Sequence, residues 1–274
     1  MTKLEHLQDL VDSSVSRRAF ARRVMVGGAG LGAAMVVGGV GMDEAAAQTL
    51  TDADILNFAL NLEYLEAEFY TVATTGRRIA DIGIGTSGTG RAGETVGGAR
   101  VAMTDRLMTI SQQIALDEQV HVNFLRQALG AAAVAKPAIN LEALGVGFAN
   151  ANEFFTVARA FEDLGVSAYG GAAALVRNPA TLTAAAQIGL TEAQHAGVIR
   201  LVVSDLGLMP GMVDALDVPT LMAPGGRLFQ VDGEGRSTVR TASQVLAVAY
   251  GSARTGTRSG GFFPAGVNGV ISTV

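Results

Sequence analysis

The sequence predicts an all-α fold, a four-helix bundle made of two duplicated helix pairs and followed by an extension with a short fifth helix. Three observations support this prediction. Four long segments have apolar residues at helical spacing, the alternation typical of strands is weak everywhere, and the same short phrases recur in both halves of the chain. We expect the bundle to occupy residues 48–206 and the Gly- and Pro-rich extension, residues 207–274, to pack on it.

Each predicted helix is bounded by residues that cap or break helices. Thr51 and the acidic residues after it form an N-cap, and no breaker follows before Gly76. Gly130 ends the second helix, and Asn178 and Pro179 separate the third from the fourth. The predicted helices cover residues 51–75, 99–129, 150–176, 180–206 and, in the extension, 241–250.

The connection between the first two helices, residues 76–98, is polar and rich in glycine. It forms either a long loop or a short hairpin. Its GIGTSGTG stretch lacks the Gly-Lys-Ser/Thr ending of a phosphate-binding loop and follows no predicted strand. The sequence therefore does not indicate a nucleotide site.

The composition excludes several kinds of site and partner. The 274 residues carry a formal net charge of −5 and no basic run outside the N-terminus, so nucleic acid is not an expected partner. The chain has no cysteine, which rules out disulfides, thiolate metal sites and thiol nucleophiles. Only two histidines, His121 and His195, lie in the predicted bundle.

Residues 1–47 are predicted to be an export signal. The basic stretch SRRAFAR at residues 16–22 precedes an apolar run at 24–40, and Ala45 and Ala47 fit a signal-peptidase site. This segment resembles a twin-arginine signal, which implies the twin-arginine export machinery as a partner and a periplasmic or otherwise exported protein. An uncleaved N-terminal anchor is the alternative, although the apolar run is short for a membrane span.

A Glu-x-x-His phrase occurs twice in the mature chain. LDEQVHVNFLR at residues 116–126 and LTEAQHAGVIR at residues 190–200 share a leucine, a glutamate, a histidine and an arginine in register. A glutamate and a histidine three residues apart lie on one helical face, so each pair can bind a metal ion together. The two pairs are Glu118 with His121 and Glu192 with His195.

The first and third helices also share a phrase. EYLEAEFY at residues 63–70 and EDLGVSAY at residues 162–169 have a glutamate, a leucine and a tyrosine in common. On a helical wheel, Glu63 and Glu162 lie inside the apolar stripe of their helices, between residues that should face the core. The sequence therefore predicts a buried carboxylate on each of these two helices.

Other acidic residues of these helices fall outside the two stripes. We expect Glu68 and Glu153 to be solvated, since they point away from the stripes. Glu66 lies about 60° from its stripe, so its environment stays open.

Four buried glutamates require compensating charge. Each costs several kcal/mol unless a cation neutralises it. No lysine is available in the expected core, and arginines at helix edges, such as Arg159 and Arg200, are expected to reach water. Two divalent cations balance four carboxylates, and a set of carboxylate and imidazole ligands suits iron, manganese or zinc better than calcium or magnesium.

This arrangement of two Glu helices and two Glu-x-x-His helices resembles the ferritin-like superfamily over residues 51–206. The phrases NLEYLEAEFY and RTASQVLAVAYG are most similar to exported ferritin-like proteins grouped with desiccation-related proteins. The resemblance implies a ferritin-like bundle with two divalent metal ions, iron or manganese. The implied ligands are terminal glutamates, bridging glutamates and terminal histidines, namely Glu63 and Glu162, Glu118 and Glu192, and His121 and His195.

The resemblance also suggests roles for residues beside the ligands. Tyr70 and Tyr169, the catalytic candidates, are expected to form hydrogen bonds with ligand carboxylates or to take part in electron transfer, and simple core packing is the alternative. Asp117 either faces solvent or another helix, or supports a histidine ligand.

The implied function is redox chemistry on Fe²⁺ with dioxygen, or on peroxide, in stress protection. Small oxygen species or metal ions would then be the substrates. Metal binding or storage, or a structural desiccation-protective role without turnover, are the alternatives. Assembly into a homo-oligomer stays open, as does enzymatic turnover itself.

Overall fold

The computed structural model describes residues 50–274, so the predicted export signal lies outside the described residues. Within them, the first long helix packs on the second and the third packs on the fourth, which confirms the all-α bundle of two helix pairs. None of the helices in this part of the chain is long and apolar enough to cross a membrane. The helices are α1 (Asp52–Thr75), α2 (Asp105–Leu129), α3 (Ala151–Ala172), α4 (Pro179–Asp205) and α5 (Ala242–Ala249).

Side-chain caps determine where the helices begin. Thr51 and Asp54 form a reciprocal capping box at the start of α1, and Gly76 ends that helix in the left-handed conformation with φ of 76°. Asn178 caps α4, and Pro179 occupies its first turn, where a missing N–H costs nothing. These boundaries lie within a residue of those predicted.

The second helix begins later than predicted, at Asp105 instead of residue 99. The backbone N–H of Val101 donates to the Ala73 carbonyl, which ties this stretch to α1 in a non-helical conformation. The Thr104 side chain then caps α2 by accepting a hydrogen bond from the Leu107 N–H. A contact distant in sequence therefore overrides the local helical pattern.

The connections between the helices contain a two-stranded parallel sheet. Strand β1 (Thr95–Val96) lies before α2 and pairs with β2 (Ile139–Asn140), which lies before α3. Thr95 is opposite Ile139 in this pairing. The glycine-rich connection before α2 is therefore a long loop held by a partner distant in the sequence, and not a hairpin.

The expectation that Glu68 is solvated is wrong. Its side chain is 1% exposed, because the connections around the small sheet cover this face of α1. The carboxylate accepts hydrogen bonds from the Thr95 hydroxyl at 2.8 Å and the Ile79 N–H at 3.2 Å. Lys136 Nζ lies 3.6 Å away, so the chain does bury a lysine, but away from the predicted ligands and paired with Glu68.

The expectation that Arg159 and Arg200 reach water is also wrong. Arg200 is 1% exposed and its Nη1 donates to Asp163 on α3 at 2.5 Å. Its Nη2 donates to the carbonyls of Val218 and Pro219 in the extension. Because one guanidinium bonds both the bundle and the extension, it fixes the two together.

Two further arginines attach the extension to α3 in the same way. Arg159 donates to Asp217 at 2.6 Å. Arg240, which is buried, forms two hydrogen bonds with Asp214 and a third with the Ser167 hydroxyl on α3. These three buried arginines therefore connect the extension to the bundle.

Aromatic side chains complete this attachment. The Phe262 ring packs edge-on against Phe161 of α3, with their centroids 4.9 Å apart, and Phe263 is fully buried. Phe229, another aromatic residue of the extension, is mostly exposed.

The duplication also appears in the contacts. Tyr64 and Asp163 occupy equivalent positions in the two repeated phrases, directly after Glu63 and Glu162. Arg126 on α2 donates to the Tyr64 hydroxyl at 2.5 Å, and Arg200 on α4 makes the corresponding bond to Asp163. Each helix pair is therefore joined by an arginine that follows the histidine of its Glu-x-x-His pair by five residues.

We expect Arg200→Met to lower the free energy of unfolding by about 3 kcal/mol or more. The substitution would leave the buried Asp163 carboxylate and the carbonyls of Val218 and Pro219 without their hydrogen-bond donor. Urea unfolding followed by circular dichroism measures the change. Arg236→Met is the control, since Arg236 pairs only with exposed Asp232 and Glu234 and should leave the stability nearly unchanged. Equal stability of the two variants would contradict a connecting role for Arg200.

Candidate metal centre

The structure brings all six predicted ligand side chains together inside the bundle. Each of the four long helices contributes, α1 and α3 with one glutamate and α2 and α4 with a Glu-x-x-His pair. None of the six is more than 7% exposed. The six are Glu63, Glu118, His121, Glu162, Glu192 and His195.

These side chains form two overlapping groups, each able to hold a metal ion. In each group the candidate ligand atoms all lie within 4.8 Å of one another. Glu118 and Glu192, the residues predicted to bridge, belong to both groups. The first group adds Glu63 and His121, and the second adds Glu162 and His195.

His121 points its Nδ1 atom at the carboxylates of the first group. Glu63 Oε2 is 3.2 Å away, and Glu118 Oε2 and Glu192 Oε1 are each 3.3 Å away. A single ring nitrogen therefore faces three acidic groups from three helices.

His195 lies in the equivalent position of the second group. Its Nδ1 is 3.0 Å from Glu118 Oε1 and 3.5 Å from Glu162 Oε2. Its other ring nitrogen, Nε2, lies 3.1 Å from Asp117 Oδ2, so the structure places Asp117 beside a histidine. The ring centroids of the two histidines are 6.2 Å apart.

The two tyrosines form hydrogen bonds with the glutamates of the opposite helix pair. The Tyr70 hydroxyl on α1 donates to Glu162 Oε1, and the Tyr169 hydroxyl on α3 donates to Glu63 Oε1, both at 2.5 Å. In each carboxylate the other oxygen, Oε2, faces a histidine Nδ1. The tyrosines thus hold the outer oxygen and leave the inner one toward the centre.

Comparison with known proteins agrees with this architecture. A family model described as a ferritin-like domain matches residues 51–205, more than half of the chain. The chain belongs to the ferritin-like domain family. No curated protein matches it significantly.

Unpartnered ligand atoms show that this ferritin-like site fits metal ions. A buried polar atom without a hydrogen bond costs about 1–3 kcal/mol, and a cation that accepts its lone pair removes this cost. The chemistry of the atoms is that of oxygen and nitrogen ligands. Among the described residues, five ligand atoms form no hydrogen bond, although several lie within 3.5 Å of another ligand atom. They are Glu118 Oε1, Glu162 Oε2, both carboxylate oxygens of Glu192 and Nδ1 of His195.

Burial also changes how the ligands hold protons. Burial raises the pKa of Glu118 to about 7, and it raises the pKa of Glu192 well above its ordinary value. Burial alone would lower the pKa of the His195 imidazole, but Glu118 and Glu162 raise it to about 12. Because ligands bind metal without these protons, metal binding releases protons and strengthens as pH rises.

A fifth glutamate, Glu66, lies beside the six ligand candidates, and the sequence left its environment open. It is 5% exposed, and burial together with the charges of Glu192 and Glu118 raises its pKa well above the ordinary value. Its equivalent in the second repeat is Gly165. A Cβ atom at Gly165 would lie 2.5 Å from Glu192 Oε2 and 3.3 Å from Glu66 Oε1, so the glycine makes room for both carboxylates.

We expect Gly165→Ala to weaken metal binding about tenfold or more, because the new methyl group must displace the Glu192 carboxylate. Elemental analysis and titration against a competing chelator measure the effect. Gly197→Ala is the matched control on α4, where an added Cβ meets no atom within 4 Å. Equal metal affinities in the two variants would exclude this role for Gly165.

Proposed function

We propose that this ferritin-like protein binds two divalent redox-active metal ions, iron or manganese, and uses them on Fe²⁺ with dioxygen or on peroxide. The observation that carries the proposal is the pair of four-residue groups that share Glu118 and Glu192. A residue common to both groups can hold two ions close together, which a storage surface does not require. The similarity of the tail to desiccation-related proteins supports a role in stress protection.

The ligand types favour these metals. The centre offers carboxylate oxygens and imidazole nitrogens, and the chain has no thiolate. When bound, a carboxylate-bridged pair of iron or manganese ions supplies two-electron chemistry toward dioxygen or peroxide. Four glutamates from four helices balance two divalent charges, so the bundle neutralises the ions without other counter-ions.

Groups beside the ligands orient them. Tyr70 and Tyr169 have pKa values well above the ordinary value because of burial and the neighbouring glutamates, so their hydroxyls stay protonated and donate. Each donation holds one oxygen of a terminal carboxylate in place. When the His195 imidazole is neutral, donation from its Nε2–H to Asp117 would leave the lone pair of Nδ1 toward the centre.

The bundle also keeps water away from the ligands. Glu118, Glu162 and Glu192 have no measurable exposure, and the two histidines are at most 7% exposed. Charges interact more strongly in such a dry environment than in water. The residues around the centre therefore suit a small substrate, such as dioxygen or peroxide, that can enter a closed bundle.

We expect Glu118→Gln to lose both metal ions while it keeps its helices, since Glu118 belongs to both ligand groups. Elemental analysis should find about two ions per wild-type chain and almost none in the variant. Glu94→Gln, an exposed glutamate, is the control and should bind metal like the wild type. Undiminished metal in Glu118→Gln would contradict the proposed centre.

Assays on the same samples separate the proposed function from its alternatives. Two bound ions together with rapid loss of peroxide or rapid oxidation of Fe²⁺ support redox turnover. Many ions per chain indicate storage instead. Two ions with neither activity indicate a structural role, in which the metal only stabilises the bundle.

We expect Tyr70→Phe and Tyr169→Phe to bind metal but to turn over about 10- to 100-fold more slowly, because the terminal carboxylates lose their hydrogen bonds. Steady-state rates of peroxide loss and Fe²⁺ oxidation measure the effect. Tyr250→Phe is the control, since its hydroxyl donates to the Ser272 carbonyl in the extension. Wild-type rates in both test variants would remove the two tyrosines from the mechanism.

We also propose that residues 1–47 direct export of the folded protein to the periplasm or an equivalent compartment. The support is the twin-arginine pattern, and this route suits a protein that acquires its metal before export. Replacing Arg17 and Arg18 by lysine should retain the protein in the cytoplasm, as cell fractionation would show. The same replacement of Arg22 and Arg23 keeps the charge and should leave export intact. Retention by the second pair alone would refute the assignment.

A further inference from the structure

A pocket of about 640 Å³ lies between the bundle and the extension. Its inner wall comes from α1 and α3, and its outer wall from α5 and the segments on either side of that helix. Most of the lining is apolar, with Leu65, Phe161 and Phe262 among its side chains. The volume is typical of small-molecule sites.

The pocket connects the protein surface with the carboxylate cluster. Leu144, Met212 and Leu216 line it and are exposed, which makes this the open side. Glu66 and Gly165 line it as well, and they lie beside Glu192 of the candidate metal centre. A molecule in the pocket would therefore have one end near solvent and the other near the centre.

Glu66 places a carboxyl group on the inner wall of the pocket. Its side chain is 5% exposed, and no protein group among residues 50–274 forms a hydrogen bond or an ion pair with it. The other glutamates of the cluster contact a tyrosine or a histidine. A buried carboxyl group without a protein partner is costly, and a ligand that donates a hydrogen bond to it would remove that cost.

We infer that this pocket binds a neutral, elongated, apolar organic molecule whose hydrogen-bond-donating end contacts Glu66. Binding in the pocket does not depend on metal. That the bound end lies beside a redox centre rests on the proposed function.

Charge and shape select this class of ligand. An anionic head group would lie beside the acidic side chains of Glu66 and Glu192, in buried surroundings that disfavour further negative charge. The apolar walls favour a hydrocarbon or aromatic body, because burial of apolar surface contributes about 25 cal/mol of binding free energy for each Å² removed from water. The surface of a partner protein could not reach Glu66, because that side chain is almost completely buried, whereas a narrow molecule can.

Two fluorescent probes with one scaffold test the inference. N-phenylnaphthylamine is neutral and carries an N–H donor, and anilinonaphthalene sulfonate adds an anionic group. We expect one neutral probe to bind per chain and the sulfonate to bind about tenfold more weakly. Glu66→Gln should narrow this difference in affinity, because it removes the acidic group nearest to the bound probe. Equal or tighter binding of the sulfonate by the wild type would overturn the inference.

A variant that fills the pocket locates the binding. Ala247 of α5 lines the pocket, so Ala247→Phe should weaken binding of the neutral probe about tenfold. Ser243→Phe places the same ring at an exposed position of α5 outside the pocket and should bind like the wild type. Circular dichroism and metal content verify that both variants fold. Wild-type affinity in a folded Ala247→Phe would place the probe elsewhere and refute the site.

Measurements with and without metal distinguish this inference from the proposed function. The neutral probe should bind both to protein as isolated and to protein stripped by a chelator. Probe binding without redox turnover would retain the pocket and reject the proposed function. Turnover in a protein that fails to bind the probe would reject the pocket alone.

Discussion

The structure depends on one constraint, which is that a cluster of five glutamates lies at the centre of the bundle, where each charge is costly. Two tyrosine hydroxyls and two imidazoles satisfy part of this requirement, and several ligand oxygens stay without a protein partner. Cations held by the two ligand groups would neutralise the remaining negative charge. Three features hold these glutamates at the centre of the bundle. They are the packing of the helices in pairs, the space beside Gly165 and the hydrogen bonds from each tyrosine to the opposite helix pair.

Much of the site could be predicted because its signals are local. A glutamate and a histidine three residues apart lie on one face of any helix. The juxtaposition of Glu118 and His121 therefore follows once the helix itself is predicted correctly. The duplication then supplied a second copy of the same geometry in Glu192 and His195. Helix ends were equally local, since Thr51 and Asn178 cap the residues that directly follow them.

What the sequence did not predict depends on contacts between distant segments. Glu68 is buried because a loop strand covers it, and Arg200 because the extension offers it carbonyl groups. The period of a helix shows which face points at its partner helix, but not whether a loop covers the opposite face. Alignment of the two repeats places Gly165 at the position equivalent to Glu66. Only the packed helices show that this glycine leaves space for the carboxylates of Glu66 and Glu192.

The position of the extension relative to the family domain has a consequence for the relatives of this chain. The matched segment ends at residue 205 and includes every metal-ligand candidate, whereas the outer wall of the pocket is built from residues 212–262. Homologues that share only the bundle would keep the same cluster of carboxylates and histidines beside a differently shaped pocket. Ligand selectivity would then diversify through exchange of the C-terminal segment while the cluster stayed unchanged.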